Sequence, residues 1–225
     1  MKTRNQLWIL LIVFILSLLL WNIPFAWIIL YPFKLFATFI HEFGHAIMAV
    51  LTGGKVTNLK IFLDGSGLTY YCGGIHLLIT PSGYLLSTII GALLLIIASE
   101  DNIKVPKYTL IIINFIMILS IIFFIRDLLT IIIMILFICA VGYIIATASS
   151  RFCSYLLGFL AIQCCFYSLY NINIVFNLSW NPLAFNDAKT MQDLTFIPAP
   201  IWAIIWALLS FIVFGFVMKF IYKNS

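Results

Sequence analysis

Uncharged apolar stretches long enough to cross a membrane fill most of this chain, and they constrain its fold more than any other feature. Of the 225 residues, 64% are hydrophobic and only 8% are charged, which is far from the balance of a soluble domain. A bilayer core of about 30 Å requires about 20 apolar residues per helix. We therefore predict a single integral membrane domain over residues 1–225, an all-α multi-pass protein with about six or seven transmembrane helices.

The polar residues between the apolar stretches divide the chain into helices. Arg126 and Asp127 leave two alternatives, a turn between two spans or an ion pair inside one long bent helix, and we favour the turn. The net charge of +5 comes from basic residues near segment ends, as lipid headgroups require, and does not indicate a nucleic-acid partner. The predicted spans lie near residues 7–23, 25–51, 78–98, 108–125, 128–148, 154–178 and 201–222.

A more polar segment follows the second span. Gly53 and Gly54 end the helix, and residues 55–71 then alternate partly between apolar and polar side chains. Asp64 and Gly65 at their centre form a typical turn pair, so the segment predicts a small β-hairpin, with an ordinary loop as the alternative. The edge of such a hairpin can accept an extended peptide as an additional strand.

The second span carries the motif His41-Glu42-Phe43-Gly44-His45. Residues four apart share a helix face, so both imidazoles can bind one metal ion while the glutamate reaches a water on that ion. Zinc hydrolysis uses this arrangement, because the ion acidifies its water and a carboxylate transfers the proton. We therefore predict a Zn²⁺ site with His41 and His45 as ligands and Glu42 as the catalytic base.

The membrane setting strengthens this interpretation. The whole chain contains three histidines and two glutamates, and three of these five residues fall in this one motif. Ionisable groups at bilayer depth cost several kcal/mol unless they are paired or ligated. The alternative is two buried histidines and a glutamate with unrelated partners. A shared zinc ion accounts for all three groups at once.

A catalytic zinc usually has three protein ligands, so one more must come from elsewhere in the chain. Asp187 lies in a polar segment before the last span, and the count of spans places it on the same membrane face as the end of the motif helix. The alternative is that Asn186 or Asp187 caps a helix. Asp193 is the reserve candidate, and His76 is the remaining histidine.

These residues resemble the site-2 protease family of intramembrane zinc metalloproteases. Its members pair an HExxH helix with a later aspartate, commonly in an Asn-x-x-Pro-x-x-x-x-Asp-Gly pattern. Pro182 and Asp187 match the Pro-to-Asp spacing, whereas Ser179 and Ala188 stand at the Asn and Gly positions. The resemblance covers chiefly residues 25–98 and 179–210. It is closest to compact bacterial-type members that lack a PDZ domain.

The resemblance implies a zinc-dependent intramembrane endopeptidase that hydrolyses peptide bonds in or near transmembrane segments of membrane proteins. It implies Asp187 as the third ligand, a hairpin that presents substrate, and a place in the bacterial cytoplasmic membrane. One alternative is a transporter or channel that uses the buried His, Glu and Asp cluster, although no internal repeat is evident. The other is a catalytically inactive relative that binds membrane proteins, which the intact motif disfavours.

Overall fold

The computed structural model describes residues 12, 15–17, 19–20, 23, 27–181 and 186–223. Within these ranges six helices are long and apolar enough to cross a membrane, and a seventh is short. The predicted all-α multi-pass membrane fold is confirmed, while the span predicted over residues 7–23 falls mainly outside the described residues. The helices are α1 (Trp27–Leu51), α2 (His76–Ala98), α3 (Lys104–Phe123), α4 (Leu128–Thr147), α5 (Ser150–Leu178), the short α6 (Asp187–Thr195) and α7 (Ala199–Lys223).

The predicted hairpin follows α1 and consists of antiparallel strands β1 (Lys55–Ile61) and β2 (Gly67–Cys72). Its turn is closed locally, because the Asp64 carboxylate accepts hydrogen bonds from the backbone N–H and the hydroxyl of Ser66. These two hydrogen bonds hold the pKa of Asp64 below its ordinary value. The hairpin prediction and the local role of Asp64 are therefore confirmed.

The outer edge of β1 is covered by the link between α3 and α4 and by the first turn of α4. The backbone N–H of Leu59 donates to the carbonyl of Phe124 at 2.8 Å, and that of Ile61 donates to the Thr130 hydroxyl at 2.9 Å. In the described part of the chain the sheet has only these two strands, so the outer edge of β2 has no strand partner.

The link between α3 and α4 decides between a turn and one long bent helix at Arg126 and Asp127. The Arg126 guanidinium donates to the carbonyls of Ile122 and Phe123 at the end of α3. The Asp127 carboxylate accepts from the backbone N–H of Thr130 and begins α4. The chain therefore turns here, and each charge stabilises a helix terminus of opposite partial charge.

The motif helix α1 packs against α2, α5 and both strands. Gly44 permits its closest approach to α2, because a Cβ at this position would lie 2.9 Å from the carbonyl oxygen of Ser82 and 3.1 Å from Gly83 Cα. The short α6 packs on α2, α5 and α7. This arrangement brings the start of α6 toward the histidines of α1.

Candidate metal centre

The two motif histidines converge on one point inside the protein. Both residues are only 6% exposed, and their Nε2 atoms lie 3.1 Å apart. His45 Nδ1 lies 2.8 Å from the carbonyl oxygen of Ile79, to which its N–H donates. This hydrogen bond leaves Nε2 of His45 with a free lone pair, which is the tautomer that a metal ligand requires.

Asp187 faces this pair of nitrogens from the first residue of α6. Its Oδ2 atom lies 3.8 Å from His41 Nε2 and 3.6 Å from His45 Nε2. The cap of α6 is Asn186, whose Oδ1 atom accepts from the backbone N–H of Lys189. The capping role therefore belongs to Asn186, and the Asp187 carboxylate is left to face the histidines.

The other two candidate ligands lie elsewhere. Asp193 occupies a later turn of α6, and His76 begins α2 with its Nδ1 atom 3.4 Å from the Tyr71 hydroxyl. Among the described histidine, cysteine and acidic side chains, the group that can share one ion consists of His41, His45 and Asp187, with ligand atoms within 4.8 Å of one another.

A Zn²⁺ ion fits this group. In a tetrahedral site with zinc–nitrogen distances of about 2.0–2.1 Å, the ligand atoms lie about 3.3 Å from each other. The three distances between the histidine Nε2 atoms and Asp187 Oδ2 are 3.1, 3.6 and 3.8 Å, and they bracket that value. The donor set of two imidazoles and one carboxylate also leaves a fourth position open, as catalytic zinc sites do. The three side chains could therefore hold one metal ion and leave a fourth position free.

The backbone of α2 passes directly beside the ligand nitrogens at Gly83. A Cβ at this position would lie 2.6 Å from His41 Nε2 and would collide with His45 Nε2 as well. Gly83 therefore keeps the space beside the two histidine nitrogens clear.

We expect Gly83→Ala to lower zinc affinity at least about tenfold, because the methyl group displaces both imidazoles from the geometry that the metal requires. Gly215→Ala is the matched control, since it adds the same methyl group to a helix at a position with no atom within 4 Å. Zinc affinity is measured by competition with a chromophoric chelator. Equal affinities in the two variants would contradict the tight fit at Gly83.

Glu42 is held beside the cluster by the hairpin. The residue is 5% exposed, and its Oε2 atom accepts from the Thr69 hydroxyl at 2.7 Å. Gly67 lies against the same side chain, because a Cβ there would lie 2.5 Å from Glu42 Cγ. Strand β2 thus fixes the carboxylate from one side, a role for Thr69 and Gly67 that no local sequence pattern indicated.

A cavity of about 420 Å³ joins these groups. Its walls come from α1, the hairpin, α2, α5 and the start of α6. Lys34 lines this cavity, and its Nζ atom donates to the carbonyl oxygen of Asp64 at 2.7 Å. The Thr38 and Tyr167 hydroxyls both donate to the carbonyl oxygen of Gly65. The hairpin turn is therefore anchored over the cavity.

The fold and the site together define a class, an integral multi-pass membrane protein with a buried candidate metal centre of two histidines and one aspartate. The sequence profile of the Peptidase M50B-like family matches residues 7–217, and the chain belongs to this family. The predicted membership of the site-2 protease family is thereby confirmed. Searches of curated proteins and of solved structures returned no match.

Proposed function

We propose that this protein is a zinc-dependent intramembrane endopeptidase that cleaves peptide bonds in or near transmembrane segments of membrane proteins. The observation that carries the proposal is the convergence of His41, His45, Asp187 and Glu42 on one buried cavity in a chain of a peptidase family. Its location in a bacterial cytoplasmic membrane stays a prediction from the resemblance to compact bacterial-type members.

In this proposal His41, His45 and Asp187 hold Zn²⁺, with the Nδ1 hydrogen bond of His45 keeping its Nε2 atom available to the metal. When bound, zinc supplies a Lewis acid that polarises the scissile carbonyl and lowers the pKa of the attacking water. The three ligands come from α1 and α6, so the packing of α6 in the bundle is a condition for metal binding.

Glu42 acts as the general base and then as the general acid. Its carboxylate accepts a proton from the attacking water and returns it to the leaving amine nitrogen as the C–N bond breaks. The Thr69 hydroxyl, which binds Oε2, holds the carboxylate in one orientation while both steps take place. Burial of the site keeps bulk water away from the reacting groups.

Strand β2 is proposed to present the substrate. Of the two outer edges of the hairpin, the edge of β1 is covered and that of β2 has no strand partner in the described part of the chain. Gly67, Leu68, Thr69 and Tyr71 of β2 line the cavity. A substrate segment that unwinds from its helix and adds to β2 would therefore pass close to Glu42.

Metal removal tests the proposed function directly. We expect the purified protein to contain about one zinc per chain, and 1,10-phenanthroline to remove the metal and with it the cleavage of single-span peptides in proteoliposomes. Restoring zinc should restore cleavage, with products identified by mass spectrometry.

A natively folded protein that never binds zinc would contradict the proposal. Ion flux is measured in the same proteoliposomes as a second readout. Flux that persists after chelation, without peptide cleavage, would favour the transporter or channel instead.

A further inference from the structure

Tyr84, the residue after Gly83 on α2, packs against one of the three proposed zinc ligands and lies near a second. It is 3% exposed, and its ring lies edge-to-face against His41 with centroids 4.5 Å apart and an interplanar angle of 81°. Its hydroxyl and the Asp187 carboxylate lie near each other at the wall of the same cavity. One side chain thus lies beside both His41 of α1 and Asp187 of α6.

The two histidines differ in what fixes their rings. The N–H at His45 Nδ1 donates to the Ile79 carbonyl, whereas His41 Nδ1 is buried and has no hydrogen-bond partner among the described residues. A metal-bound histidine is normally oriented by a hydrogen bond from its second nitrogen. For His41 the orientation must come from packing, and the Tyr84 ring lies against it.

The Tyr84 ring is itself fixed from α7. Trp206, which is 1% exposed, stacks on it with centroids 4.7 Å apart and an interplanar angle of 13°. Aromatic pairs of this kind contribute about 0.5–1.5 kcal/mol beyond the burial of their surface. The stack leaves the tyrosine little freedom to move away from the ligands.

We propose that Tyr84 is a positioning residue that holds His41 through its ring and Asp187 through its hydroxyl in the geometry for Zn²⁺. This inference rests on the proposed zinc site and goes beyond it. It assigns to one phenol the orienting role that the Ile79 carbonyl has for His45.

Two substitutions separate the effect of the Tyr84 ring on zinc affinity from that of its hydroxyl. Tyr84→Phe keeps the contact with His41 and should lower zinc affinity about tenfold through Asp187, while Tyr84→Leu should lower it about 100-fold. Tyr167→Phe is the matched control, because Tyr167 is a buried phenol of the same cavity whose hydroxyl binds Gly65 and Thr38 instead. We expect its zinc affinity to remain at the wild-type value.

A double-mutant cycle shows whether the Tyr84 hydroxyl acts through Asp187. Tyr84→Phe should have no further effect on zinc affinity in an Asp187→Ala background, measured at zinc concentrations that load the two remaining histidines. An equal loss in both backgrounds would indicate a general structural role and overturn the proposal. Failure of the zinc site itself can be distinguished from failure of the Tyr84 proposal, because the wild-type protein would then bind no zinc. Zinc binding of wild-type strength in Tyr84→Phe would overturn only the role of the hydroxyl.

Discussion

Replacing Glu42 with glutamine will greatly slow peptide hydrolysis while the protein retains its zinc. The amide cannot accept and return the proton of the attacking water, and loss of a general base typically lowers the rate by about 10²–10⁴-fold. In the wild-type protein the Thr69 hydroxyl donates to Oε2 of Glu42 at 2.7 Å. Glutamine has the same shape as glutamate, so the carbonyl oxygen of its amide can accept the same hydrogen bond. Cleavage rate and zinc content are measured on the same preparation.

Glu100→Gln is the matched control for this substitution. It changes the other glutamate of the chain, which is exposed in the link between α2 and α3. We expect it to cleave at the wild-type rate. If zinc-loaded Glu42→Gln cleaved as fast as Glu100→Gln, Glu42 would no longer be the candidate base.

Asp187→Ala will remove most of the zinc, whereas Asp193→Ala will leave it bound. Loss of a partner that only orients a metal ligand costs about 10–100-fold in affinity, and loss of a ligand itself should exceed that range. The two aspartates belong to the same short helix, so a general effect on α6 would appear in both variants.

Zinc bound per chain is measured after dialysis against a weak chelator. The reverse outcome, with zinc lost only from Asp193→Ala, would contradict Asp187 as the third ligand.

The features that could be predicted from the sequence depend on short spacings. His41 and His45 share a helix face whatever the rest of the fold, so their convergence follows from a separation of four residues. The hairpin follows from turn chemistry at Asp64 and Gly65, which also acts over a few residues. The membrane-spanning helices are predicted from the length of the apolar stretches alone.

The assignment of the third candidate ligand required the tertiary structure in part. Counting spans placed the segment of Asp187 on the same membrane face as the end of the motif helix, but the sequence left ligand and helix cap as alternatives. The structure gives the cap to Asn186 and turns Asp187 toward the histidines. Asp193 lies six residues further, about 240° around the helix, and so faces away from the cluster. The Pro182 of the family pattern lies outside the described residues.

The supporting residues of the site could not be predicted. Thr69, Gly83 and Tyr84 contact the motif helix from other parts of the chain, and ordinary threonines, glycines and tyrosines at those positions carry no distinctive spacing. Their roles arise from the approach of α2 and β2 to α1. A contact between distant segments leaves no periodic signal in a single sequence.

The covered edge of β1 restricts the proposed substrate track to β2. A peptide that adds to β2 in the antiparallel sense would run from the Cys72 end toward Gly67, because β2 itself runs from Gly67 to Cys72. Single-span proteins that cross the bilayer in opposite senses would present their chains to this track in opposite polarity. A fixed track would thus make the protein selective for membrane topology, even between segments of identical composition.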